Sequence, residues 1–264
     1  MGNNKTLIMG KLYKIKRKIS KYIRKNIIED SNVEKTYVSN KDFSVFEDTV
    51  IAKVKNFTMT SPERIVSLIR AVEYINTNNI KGDIVECGVW KGGSIGACLL
   101  TLIKLNKLDT KIWLYDTFEG MNAPTNFDLD INGNLAFERM QNEDIEDSWL
   151  WAKAELNLVK QNINTFQYPQ ENINYIKGIV EETLLSDEIP NEIALLRLDT
   201  DWYESTKIEL EVLYPKLVSG GVLIIDDYGH WGGCKMAVDE FFGKMDFIPF
   251  FNRIDYTGRI IIKP

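Results

Sequence analysis

Two apolar runs in this chain end in carboxylates, and a helical pattern joins them. The first, Ile193-Ala194-Leu195-Leu196, passes through Arg197-Leu198 and stops at Asp199. The second, Val222-Leu223-Ile224-Ile225, stops at Asp226-Asp227. Between them Ile208, Leu210, Val212, Leu213 and Leu217 recur at roughly helical spacing, and Ser219-Gly220-Gly221 reads as the end of that helix. Apolar runs without polar alternation suit strands buried on both faces, the condition of a parallel sheet covered by helices. Such a strand–helix–strand unit sends both strands the same way. Asp199, Asp226 and Asp227 are therefore predicted to meet at the carboxyl edge of the sheet, where open α/β folds bind ligands. Acids so close repel one another, and a hard divalent cation with oxygen ligands, Mg²⁺ first, relieves that repulsion. Taken singly, each is equally an ordinary helix cap or loop end.

Upstream, Asp83-Ile84-Val85-Glu86-Cys87 reads as a strand, and Gly88-Val89-Trp90-Lys91-Gly92-Gly93 as a glycine-rich turn. Ser94 is placed to cap the helix that follows. A dinucleotide site wants G-x-G-x-x-G at this turn, with pyrophosphate on the helix N-terminus. Here Glu86 stands inside the strand end, where it repels an anion and attracts a cationic amino group. The next strand, Lys111 to Tyr115, ends at Asp116-Thr117, and an acid there suits a ribose diol. A helix start is predicted at Thr60-Ser61-Pro62-Glu63, with residues 30–60 before it irregular. A third strand, Ile173 to Ile176, leads to Glu181-Glu182-Thr183. The stretch 121–170 exceeds a simple crossover and reads as a lid-like insertion. After the last acids come a glycine-rich loop around His230, a helix from Met236 to Phe242, and a closing strand pair at Phe247–Phe251 and Gly258–Ile262.

Composition narrows the partners. A net charge of −6 argues against a nucleic-acid surface over most of the chain. The 3 cysteines form neither a zinc pattern nor a disulfide framework, which suits a reducing cytoplasm. No run reaches membrane-spanning length. Residues 1–28 carry nine Lys or Arg and no acid, with Ile8, Leu12, Ile15, Ile19 and Ile23 spaced three or four apart. Residues 1–30 thus read as a basic amphipathic helix, suited to an anionic membrane surface, a partner subunit or the acidic body, preceding a domain at 31–264.

The motifs VECGVWKGGS, LYDTFEGM, LRLDTDWYEST and LYPKLVSGGVLIIDDYGHWGGCKMAVDEF resemble the TylF/MycF family of macrolide sugar O-methyltransferases, over roughly residues 57–264. The resemblance implies the class I methyltransferase fold, an α/β seven-stranded, mostly parallel sheet flanked by helices. It implies S-adenosylmethionine as cofactor, with Glu86 and Gly88 at the turn that receives the methionine part and Asp116 at the ribose. Trp90, Gly92, Ser94, Thr117 and Glu181 are further candidate cofactor residues. The family's metal acids fall on Asp199, Asp226 and Asp227, with Asp199 also the proposed base and His230 its rival. The acceptor expected is a sugar-bearing small molecule or glycan intermediate, and the assembly a homodimer or homotetramer. A dehydrogenase and a non-catalytic scaffold that retains the fold are the competing readings.

Overall fold

The computed structural model describes residues 42–264, apart from 145–147, 149 and 187. The basic amphipathic segment predicted at 1–30, and Trp149, lie outside the described residues.

Seven strands form one sheet: β1 (Asp83–Cys87), β2 (Ile112–Asp116), β3 (Ile173–Lys177), β4 (Ile193–Leu198), β5 (Leu217–Ile225), β6 (Asn252–Arg253) and β7 (Arg259–Ile262). Their order across the sheet is β3-β2-β1-β4-β5-β7-β6. β1 to β5 pair in parallel, whereas β7 runs antiparallel to both β5 and β6. This is the class I methyltransferase arrangement, as expected. The chain order reverses on either side of β1, so the crevice beyond β1 and β4 is the natural ligand site.

Helices cover both faces, which is why the strands read as unbroken apolar runs. Helices α1 (Val45–Val54), α2 (Pro62–Thr77) and α3 (Gly93–Lys104) enclose one core with Ile84, Leu195, Val222 and Ile224. Helices α7 (Tyr203–Leu213) and α8 (Gly232–Phe242) enclose the other with Val85, Leu196, Leu223 and Ile225. Neighbouring residues of each strand thus enter opposite cores, as the two-residue period requires. Between β2 and β3 lie α4 (Ala136–Gln141) and α5 (Leu156–Asn164), and α6 (Val180–Thr183) follows β3.

Four boundaries differ from expectation. Residues 45–54 are helical, because Ser44 and Glu47 form a reciprocal capping box: Ser44 N donates to Glu47 Oε2 (2.6 Å) and Glu47 N to Ser44 Oγ (3.3 Å). The helix expected to run to Ser219 ends at Leu213, where Pro215 withholds a backbone donor in a short 3₁₀ turn. Gly220 and Gly221 accordingly belong to β5, where Gly220 N donates to Lys263 O (2.8 Å). The loop expected after His230 is already helical from Gly232, and β6 is only Asn252–Arg253 rather than a strand over 247–251.

The insertion at 121–170 is pinned to the body. Its last helix, α5, is the crossover that brings the chain back to β3, and Ile163 and Val159 pack against Gly92 at the start of α3. Its first half is anchored by buried Asp128, whose Oδ1 accepts from Tyr203 N (2.8 Å) and whose Oδ2 accepts from Thr125 N (2.6 Å). Trp202, the N-cap residue of α7, supplies no side-chain cap, so Asp128, 75 positions before Tyr203, does it. Trp202 Nε1 in turn donates to Asn122 O (3.1 Å), and Gly232 N to Leu129 O (2.7 Å). Asp128→Ala removes this cap together with the fold of the loop around it. A stability loss of about 2 kcal/mol is expected in urea denaturation. A loss within experimental error would mean that the insertion is held by its apolar contacts alone.

Candidate active site

The strand register builds the site. Asp199 N donates to Cys87 O, Asp226 N to Leu198 O and Gly88 N to Tyr115 O, each at 2.9 Å. Gly88, Asp199 and Asp226 therefore emerge in one row at the carboxyl ends of β1, β4 and β5. Gly88 has φ +82°, and a Cβ there would lie 1.9 Å from Asp199 O, so only glycine lets β1 and β4 close at this point. Gly92, with φ +86°, occupies the N-cap position of α3.

Asp116 ties the turns together. Its Oδ2 accepts from Val89 N (2.7 Å) and Trp90 N (3.0 Å), and its Oδ1 from Phe118 N (2.6 Å). One carboxylate thus satisfies the backbone donors of the glycine turn and of its own loop. Above these loops opens a cleft whose walls include Thr58, Thr60, Gly88, Trp90, Ser94, Asp116, Thr117, Glu181, Asp199, Asp201, Asp226, Asp227 and His230. Glu181 Oε1 accepts from Ser205 Oγ (2.6 Å) and Asn122 Nδ2 (3.2 Å), while its Oε2 has no partner among the described residues.

The acids at the strand ends form a charge array. Oxygens of Asp199, Asp226 and Asp227 lie within 4.8 Å of one another. Beneath them the buried Arg197 guanidinium reaches Glu86 Oε1 (2.8 Å), Asp199 Oδ2 (2.7 Å) and Asp226 Oδ1 (2.6 Å), and donates to Thr60 Oγ1 (3.0 Å). Arg64, on α2, pairs with the other oxygen of Asp226 and with Asp255 (3.0 Å). Asp227 shares a hydrogen bond with Asp201, and burial raises the Asp201 carboxyl to about 7. Burial likewise raises Glu86 to about 7, against the pull of Arg197. His230 Nδ1 lies 3.3 Å from the Tyr256 hydroxyl, and burial lowers its pKa, so the ring is neutral at pH 7.

The macrocin-O-methyltransferase (TylF) family model matches residues 8–262. The chain belongs to the TylF family. It is an S-adenosylmethionine-dependent O-methyltransferase. Demethyldecarbamoylnovobiocin O-methyltransferase of Streptomyces niveus is 34% identical over 204 residues, 76% of this chain and 73% of that one. Mycinamicin III 3''-O-methyltransferase of Micromonospora griseorubida is 27% identical over 237 residues, 86% and 85% of the two chains. The solved O-methyltransferase NovP superposes with a TM-score of 0.67 at 30% identity, covering 78% of this chain and 82% of that one. The calicheamicin methyltransferase CalS11, 16% identical with a TM-score of 0.59, has the same fold. The family match begins at residue 8, inside the basic segment, and so extends further towards the N-terminus than residue 57.

Among the residues expected at the site of this TylF-family enzyme, ten line the cleft and two do not. Glu86 is not on the cleft wall: β1 and β4 place it directly opposite Arg197, which donates to its Oε1. Its other oxygen, Oε2, is buried with no partner among the described residues. Gly92 faces Ile163 and serves the start of α3. Ser94 forms no helix cap; its hydroxyl faces those of Thr58 (3.4 Å) and Thr60 (3.5 Å). Nor do the three acids depend on a metal alone to offset their repulsion. Arg197 and Arg64 already supply positive charge, and what remains in favour of a cation is the convergence of oxygens.

Arg197, Arg64 and Asp201 were not among the residues expected at the site. The signal for Arg197 was present: a cation and an anion inside two apolar runs, at positions that pair in parallel register. Arg197→Met leaves Glu86 as a buried carboxylate without its arginine and Asp226 with Arg64 alone. A loss of about 3–5 kcal/mol is expected in chemical denaturation. Wild-type stability in that variant would mean that these acids take up protons at no cost.

Proposed function

We propose that this methyltransferase transfers its methyl group to a hydroxyl of a sugar carried by a small glycoside, with a divalent cation held by Asp199, Asp226 and Asp227. The observation that carries the reading is the meeting of these carboxylates on the wall of the cleft that also contains the glycine turn and Asp116. The acceptor class draws on the relatives, whose names give a novobiocin precursor, a rhamnosyl tetracenomycin and mycinamicin III as their substrates.

The donor set fits a hard ion. All candidate ligand atoms are carboxylate oxygens, and each retains a lone pair beyond the one facing an arginine. When bound, such a cation lowers the pKa of a coordinated hydroxyl and supplies an electrophilic partner for the acceptor oxygen. The chain's own residues do the remainder. Gly88 and the backbone clamped by Asp116 leave room for the methionine end of S-adenosylmethionine, with Trp90, Ser94, Thr117 and Glu181 around it. Glu181 Oε2, buried and unpartnered, is suited to accept a hydrogen bond from the cofactor. Holding donor and acceptor in line between these walls supplies much of the rate, because methyl transfer needs a narrow range of approach.

For the proton, Asp199 is the less available base, since one oxygen is on Arg197 and the other serves the cation. Asp201 lines the same cleft and hydrogen-bonds Asp227, so it faces the acceptor without being bound to an arginine. His230 offers a neutral Nε2 with no partner among the described residues. We assign proton removal to Asp201, with His230 orienting the acceptor.

Release of S-adenosylhomocysteine from a panel of nucleotide sugars and deoxysugar glycosides tests the acceptor. Chelation should abolish turnover and Mg²⁺ restore it; turnover indifferent to chelator removes the cation from the reading. Asp201→Asn should lower kcat about 100-fold or more at unchanged cofactor affinity, and His230→Gln by less than about tenfold. The reverse ranking would give the base role to His230.

A further inference from the structure

Glu209 is a carboxyl buried completely within α7, with no arginine or lysine against it among the described residues. Its two oxygens lie 3.0 and 3.1 Å from the hydroxyl of Thr200, and the Cys87 thiol is beside it. Burial pushes this carboxyl well above its ordinary range, against the hydrogen bond from Thr200. Replacing a polar group in such a place by an apolar side chain of similar size is commonly neutral or stabilising. Core packing alone therefore gives no reason for an acid here. Its contact does. Thr200 stands between Asp199 and Asp201, and all three line the cleft.

That segment is under local constraint. Asp201 has φ +67°, a left-handed conformation disfavoured for a residue with a side chain, and Trp202 N donates to Thr200 O (2.7 Å) across a tight turn. Nothing in the sequence of the turn holds Asp201 this way; there is no glycine. We propose that Glu209 is a positioning residue, gripping the Thr200 hydroxyl from below so that Asp199 and Asp201 are held at the working edge of the cleft. It touches neither cofactor nor acceptor and acts through Thr200.

The inference rests on the reading above, in which Asp199 and Asp201 face the acceptor. Its test includes an arm that needs neither acceptor nor cation. Glu209→Gln keeps a group able to hydrogen-bond Thr200, whereas Glu209→Met fills the space and removes the grip. Crystal structures should show the Asp199 and Asp201 carboxylates displaced by about 1 Å in Glu209→Met and in place in Glu209→Gln. Turnover is measured as S-adenosylhomocysteine release with the best acceptor of the glycoside panel. Glu209→Met should lose about tenfold or more in kcat, with melting temperature and S-adenosylhomocysteine affinity maintained. Glu209→Gln should stay within about twofold of wild type. Thr200→Val should reproduce the loss alone and add nothing to Glu209→Met.

An unmoved Asp199–Asp201 segment in Glu209→Met overturns the proposal. So does a melting temperature that falls in step with activity, or additive losses in the double variant. If Glu209→Met does not fold, Thr200→Val decides: wild-type turnover and an unmoved segment in that variant refute the grip.

Discussion

A single guanidinium under the cleft floor sets the geometry of everything above it. Arg197 is fixed on the central strand β4, and its contacts fan out to β1, to the tip of β4 and to the tip of β5. A charge buried among apolar neighbours is tolerated only when paired and hydrogen-bonded, and three carboxylates with a threonine hydroxyl meet that condition. The same pairing also aligns the acids. Because each arginine N–H has a fixed direction, the oxygens it takes determine where the remaining lone pairs of Asp199 and Asp226 point. The electrostatics of the floor and the shape of the site are one problem with one solution.

The fold prepares that position. Parallel register brings Gly88, Asp199 and Asp226 into a row, and the reversal of strand order at β1 leaves a crevice above it. The glycine turn is held open by the Asp116 carboxylate, which accepts three backbone hydrogen bonds from the loops on either side. Rigid strand tips hold the acids, while the glycine turn beside them is tied by short polar contacts. This division suits group transfer, in which two partners must meet in line and the protein's contribution is chiefly alignment.

Much of this was legible in the chain alone. The unbroken apolar runs ending at Asp199 and at Asp226-Asp227 gave the parallel sheet and the meeting of the acids, because strand direction fixes where strand ends lie. The glycine turn and Asp116 followed from the same logic. What escaped was whatever depends on the neighbour across the sheet. That Glu86 has an arginine opposite it shows only once β4 is placed beside β1. Helix α1 escaped despite its Ser44–Glu47 box, since its surroundings are polar and its apolar face shows only once α2 and α3 cover it. Asp201 escaped because a left-handed backbone at a non-glycine position leaves no trace in composition.

The cap that Asp128 places on the start of α7 has a bearing on protein engineering. Relatives of this enzyme could be recombined by exchanging residues 121–155 to transplant acceptor preference. Such a graft would also transplant, or lose, the carboxylate that finishes a helix on the far side of the active cleft. A chimera lacking an acid at this position would therefore be expected to express poorly whatever its new specificity, and restoring that one side chain would be the first repair to attempt.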